Sequence, residues 1–370
     1  MLRRMIAETY NTIRAFQSPP VSQTKHQKLN KRHHLSSLPR RDSQSWPATP
    51  NNLDLYTFYM PPKRASSSLS SSHLPLKCLS VSNTLTTLTI SIIAVHGLNG
   101  HYLHTWTHTD APAKPVRRWS RLLRKGATKT DTDTVWLRDL LPEKLPNARI
   151  MTFEYDSSIF GNRSAFGIEE NAAKLLEELW NVREDEAEGR SIVFIGHSLG
   201  GIVIKQAIST ANQNRRRLSQ PWYADIADCT RGIVFFGTPH RGADKTKWLG
   251  LVSRIVQTAT NQPKSRFINV LETHSPHLLE FSEDFKPYVN QYAIASFYEE
   301  QPHRLLGSLV VEKMSAVLWL AHEEAVMMGG DHSSMCKFGK NDKRFDLAWR
   351  AIRRVSKGRP DNNSAVVMMS

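Results

Sequence analysis

Three short runs in this chain carry the residue types that acyl chemistry needs. Gly196-His197-Ser198-Leu199-Gly200 has the form G-x-S-x-G, Glu299-Glu300 offers neighbouring carboxylates, and Gly329-Gly330-Asp331-His332 sets an imidazole beside glycines. A serine hydroxyl is a poor nucleophile until a base takes its proton. An imidazole oriented by a carboxylate is such a base, and the carboxylate also stabilises the imidazolium that forms. This chemistry needs no metal and no organic cofactor, so neither is expected.

A bare G-x-S-x-G also occurs by chance on surface loops, so its setting decides. Ser191 to Ile195 is a short apolar, β-branched run, as a buried parallel strand is, and Gly201 to Ile208 resumes with helical spacing. Strand, G-x-S-x-G and helix in succession demand a sharp reversal at Ser198. The serine then takes a strained backbone, and its glycine neighbours leave out the Cβ atoms that would clash. The hydroxyl stands at the tip of the turn, above a helix N-terminus.

Other elements follow from periodicity. Strands are predicted at Thr89–Val95, Ala148–Tyr155, Gly232–Phe236 and Tyr292–Tyr298, with Leu309–Val311 as the last. Trp136 to Leu141 predicts a short helix closed by Pro142. Ile168, Ala172, Leu175, Leu176 and Leu179 mark one helical face, and a closing helix runs from about Asp342 to Val355. Such alternation predicts an α/β architecture, a mostly parallel sheet with helices on both faces. Ligands then bind at the carboxyl ends of the strands. Each chemistry-bearing run falls just after a strand, so all of them gather at that edge. Residues 243–289, mostly helical in period, are expected as a cap insertion over it.

In α/β-hydrolases the order along the chain is serine, acid, histidine. After Ser198 come His240, His274, His277, His303, His322 and His332. His332, in a Gly-rich loop after the last strand, is the expected base. Glu299 is the chosen acid from strand phase, with Glu300 and Asp244 as runners-up and Glu312 third. The oxyanion hole is expected from the backbone N–H of Leu199 and from Gly97 or Leu98, in the Gly-rich loop His96–His101.

Net charge is +15, and nine of those charges fall in residues 1–82, which hold twelve basic and three acidic residues. Basicity therefore belongs to the N-terminal stretch, and nucleic-acid binding is not expected. The first sixteen residues place Leu2, Met5, Ile6, Tyr10, Ile13 and Phe16 on one face, with Arg3, Arg4 and Arg14 on the other. A Ser-rich stretch with six serines in Ser66–Ser72 follows further on. That composition suits a mitochondrial transit peptide. The expected layout is a disordered basic region at 1–83, a catalytic domain at 84–355 and a disordered tail at 356–370. The basic run 113–133 reads as a solvated face, or more sharply as a patch for anionic head groups.

The runs AVHGLNGHYLHTWTH, WLRDLLPEKLPNARIMTFEYDSS, FIGHSLGGIVIKQA, RGIVFFGTPHRGAD, SFYEEQP and DHSSMCKF, in this order over about Ile92 to Arg354, resemble the putative serine esterase (lipase-like) family. That group contains the serine-active-site-containing protein of mitochondria and endoplasmic reticulum, and the hydrolase domains of fungal NOD-like receptors. The resemblance implies an α/β-hydrolase fold, an ester or lipid substrate, and peripheral association with mitochondrial or endoplasmic reticulum membranes; a cytoplasmic setting is the alternative. It maps the family's motifs onto His96 to Gly100, Ser198, Glu299 and His332. A catalytically idle scaffold domain, a thioesterase and a peptidase remain as alternatives.

Overall fold

In the computed structural model the strands are β1 (Leu55–Tyr59), β2 (Ile90–Val95), β3 (Thr107–Thr109), β4 (Asp133–Val135), β5 (Ala148–Phe153), β6 (Ser191–His197), β7 (Thr230–Phe236), β8 (Ala293–Glu299) and β9 (Glu324–Met328). Seven form one sheet in the order β1-β5-β2-β6-β7-β8-β9, and β3 pairs with β4 apart from it. β1 is antiparallel to β5, while every other neighbouring pair in the sheet is parallel. The structure describes residues 55–61, 89–109, 133–157, 167–186, 189–215, 221–241 and 245–359. The first sixteen residues, most of the 113–133 run, Asp244 and the tail from residue 360 lie outside the described residues.

The helices are α1 (Trp136–Asp139), α2 (Leu141–Lys144), α3 (Ile168–Glu186), α4 (Gly200–Asn214), α5 (Pro221–Cys229), α6 (Lys245–Thr260), α7 (Ile268–Asp284), α8 (Lys313–Ala316) and α9 (Arg344–Val355). The central strands read as unbroken apolar runs because both of their faces are covered. Alternate residues go to opposite cores. Ile93, Phe194 and Phe235 pack with helices α3 through α7 on one face, and Ile92, Ile195 and Phe236 pack with α1, α2 and α9 on the other. Each such side chain contributes roughly 1.5–3 kcal/mol by leaving water. This is an α/β-hydrolase fold, with a helical insertion between β7 and β8. Among the described residues no helix is long and apolar enough to cross a membrane.

Several expectations need correction. β1 lies inside the 1–83 region expected to be disordered; Leu55-Tyr56-Thr57-Phe58-Tyr59 is rich in aromatic strand formers and pairs with β5. Leu309–Val311 is no strand. The last strand is β9, whose alternate burial marks a sheet edge and hides it among polar residues. Pro142 does not close a helix; it sits in the first turn of α2, where its missing N–H costs nothing.

The insertion is built into the body of the fold. Trp248 and Leu251 of α6 and Leu271 and Leu278 of α7 share one core with Ile202 and Ile208 of α4. α6 also reaches the carboxyl edge of the sheet. Asn99 donates through Nδ2 to the carbonyl of Ala259 at 2.8 Å, and Arg254 Nε donates to the carbonyl of Val310 at 3.1 Å.

Candidate active site

Ser198 and His332 lie in the loops after β6 and β9, Glu299 is the last residue of β8, and the three meet at the carboxyl edge of the sheet. Ser198 Oγ lies 2.9 Å from His332 Nε2, and His332 Nδ1 lies 2.9 Å from Glu299 Oε1. All three are buried. A carboxylate accepts only, so the ring proton belongs on Nδ1 and Nε2 is left to accept from the serine. The Glu299 carboxylate is fixed by two further donors, the N–H of Val310 at 2.9 Å and of Val311 at 2.7 Å. With both oxygens held, the carboxylate cannot swing away from the imidazole.

The elbow shows the local cost of this placement. Ser198 has φ +53, the left-handed region that costs a non-glycine residue roughly 1–2 kcal/mol. Its own N–H is tied to the carbonyl of Phe236 at 2.8 Å. Two glycines permit the tight packing around it. A Cβ at Gly97 would come within 2.8 Å of the Ser198 Cβ, and one at Gly200 would overlap the carbonyl oxygens of Val95 and His96. The loop after β2 is thereby pressed against the serine.

That loop is held in place. His96 is buried, stacks on Tyr155 with ring centres 4.4 Å apart, and bonds through Nδ1 to the carbonyl of Gly97 at 2.9 Å. Tyr155 donates its hydroxyl to the His96 carbonyl at 2.7 Å. Glu154 Oε1, 3.7 Å from His96 Nε2, is an electrostatic neighbour and too far for a hydrogen bond. Asn99 N–H donates to Ser157 and Gly100 N–H to Gly97. Among the described residues, no carbonyl takes up the N–H of Leu98 or Leu199. Unclaimed donors on either side of a serine can receive a developing oxyanion.

The remaining candidates are placed elsewhere. Glu300 is exposed, and Glu312 is exposed and pairs with Arg254 at 3.5 Å. His277 is exposed and pairs with Glu280. His303 accepts from the N–H of Leu305 at 3.4 Å. His240 is buried, and neither of its ring nitrogens has a partner among the described residues. His322 is half-buried, and the His274 side chain is outside the described residues.

Two positioning groups escaped the sequence. His197, inside the G-x-S-x-G itself, donates through Nε2 to the main-chain carbonyl of His332 at 2.8 Å. Burial, with His332 nearby, pushes its pKa down to about 3, so the ring is neutral. Arg344 of α9 binds the loop that carries His332 through the carbonyls of Gly329, Ser334 and Lys337, while Asp342 holds its guanidinium. The motif itself was the available signal for His197; Arg344 had none.

The fold defines an α/β-hydrolase. Residues 92–248 match the family described as Putative serine esterase (DUF676). Protein SERAC1 of Bos taurus is 26% identical over 258 residues, covering 68% of this chain and 36% of that protein. Protein SERAC1 of Homo sapiens is 26% identical over 266 residues, again covering 68% of this chain and 36% of its own length. The chain thus spans little more than a third of the curated relatives it matches. A solved Bacillus licheniformis lipase, BlEst2, is 14% identical with a TM-score of 0.42, covering 74% of this chain and 95% of that one.

Proposed function

We propose that this protein is a serine hydrolase of carboxylic esters, acting on lipid acyl esters through an acyl-enzyme on Ser198. The observation that supports this most is the continuous line Glu299–His332–Ser198, with 2.9 Å at each step. Ser198 Oγ attacks the carbonyl carbon while its proton passes to His332 Nε2, and Glu299 stabilises the imidazolium. The tetrahedral oxyanion is received by the N–H of Leu199 with that of Gly97 or Leu98. Removing one such donor typically costs about 2.7–4 kcal/mol of barrier. His332 then protonates the departing alcohol, and water, deprotonated by the same ring, releases the acid. An alcohol in place of water gives acyl transfer between lipids. Helix α6 borders the site and limits acyl-chain access, supported by its bonds to Asn99 and Val310.

The test is a fluorophosphonate probe, which should label the wild-type chain and not Ser198→Ala. Labelling that persists in the variant overturns the assignment. The match to a family described as putative serine esterases supports an ester substrate, and the family resemblance supports a lipid ester and a mitochondrial or endoplasmic reticulum setting. A reporter fused to residues 1–60 that stays diffuse in the cytosol overturns the targeting role of that segment.

A further inference from the structure

Two large apolar side chains stand in water near the edge that carries Ser198. Trp319 is 49% exposed and Met314 is 60% exposed. Both follow Val311, whose N–H holds the Glu299 carboxylate. Trp319 has φ +63, an outlier for a bulky residue that persists only where its surroundings fix it.

The surroundings do fix it. Its Nε1–H donates to the carbonyl of Met314 at 3.4 Å, and the same carbonyl accepts from Arg241 Nε at 3.0 Å. The Arg241 guanidinium lies 5.6 Å from the Trp319 ring centre and the Lys313 ammonium 5.8 Å. Lys313 also lies 4.9 Å from the ring of Tyr298. Neither cation has a carboxylate partner among the described residues. The indole is therefore locked between two cations, its polar atom satisfied and its apolar surface open.

An aromatic ring of this kind suits the boundary between water and lipid, where the ring enters the head-group layer and flanking cations meet lipid anions. We propose that Trp319, Met314, Arg241 and Lys313 form a docking surface for an anionic phospholipid bilayer. Charge complementarity selects the partner: neither cation is ion-paired among the described residues, and the nearby carboxylates are engaged elsewhere, Glu323 by the N–H groups of Leu318 and Leu320 and Glu312 by Arg254. Arg241 follows β7 and α8 follows β8, so a bilayer seated here lies at the strand ends that carry the serine. The biological use of this surface rests on the lipid-ester reading; the binding itself does not.

The experiment is flotation of the full chain with phosphatidylcholine vesicles, with and without phosphatidylserine. The wild-type chain should float with the anionic vesicles, and Trp319→Ser with Met314→Ser should bind about tenfold more weakly. Arg241→Gln with Lys313→Gln should lose the preference for phosphatidylserine. Hydrolysis of a water-soluble short-chain ester should be unchanged in all of these variants. Equal flotation of wild type and variants overturns the proposal, as does a wild type that ignores both vesicles. Loss of binding to an acidic polypeptide in these variants, with flotation unchanged, overturns it in favour of a protein partner. A chain that floats as expected but hydrolyses no ester supports the surface and removes the hydrolase reading alone.

Discussion

The His197 ring donates to the main-chain carbonyl of His332 at 2.8 Å, which ties the neighbour of Ser198, the proposed nucleophile, to the backbone of His332, the proposed base. The two residues are far apart in sequence, and this bond joins the loop that carries His332 to the turn that carries Ser198. His197→Phe should keep the buried ring volume and lose the donor. A net hydrogen bond is worth about 0.5–1.5 kcal/mol, so kcat on a soluble ester should fall up to about tenfold with KM little changed. His197→Asn should restore part of the loss. A change in KM alone would show that His197 does not position the base.

Glu299 and Glu300 should separate cleanly. If Glu299 is the acid, as proposed, Glu299→Gln keeps the shape but removes the charge that would steady the imidazolium, and kcat should fall by roughly 10⁴. Glu300→Gln, at an exposed position, should stay within a few-fold of wild type. Equal losses in steady-state assays of the two variants would reject Glu299 as the acid.

Strain at the elbow predicts a trade between stability and chemistry. Ser198 holds φ +53, which glycine adopts without penalty. Ser198→Gly should be inactive yet more stable than Ser198→Ala by about 1 kcal/mol in urea unfolding. A less stable glycine variant would mean that the turn stores no strain.

Lys205 gives the chain a distinctive response to alkali. Its ammonium is fully buried, donates to the Pro239 carbonyl at 3.3 Å and to Ser282 Oγ at 3.2 Å, and burial pushes its pKa down to about 7. The unfolded chain keeps this proton up to the ordinary lysine range, so between about pH 7 and 10 the unfolded state binds more protons. Stability contributed by this group therefore rises with pH across that window and is constant below it. Lys205→Met should abolish the rise, which unfolding midpoints measured across the window would detect. A variant that keeps the wild-type slope would place the titration elsewhere.

Much of this arrangement was legible because it rests on local pattern. β6 announced itself as an apolar run, and the glycines around Ser198 announced the turn. Glu299 could be preferred over Glu300 because strand phase turns one inward and the next outward. β1 and β9 were missed for the converse reason: edge strands are half exposed, so their patterns are diluted by polar neighbours. The Val310 and Val311 donors and the Arg344 brace depend on tertiary contacts that no spacing encodes.

β1 carries one last consequence. It covers the outer edge of β5, pairing Leu55 with Phe153 and Tyr56 with Thr152. If the N-terminal segment is removed by a processing protease, the cut must fall upstream of Leu55. A cut downstream would move the sheet edge from the short β1 to β5, whose residues are all buried, and bare that strand's backbone donors and acceptors as a template for joining another chain. Any maturation of this protein is thus constrained by the sheet itself, which fixes how much of the N-terminal segment can be discarded without turning the chain into a seed for aggregation.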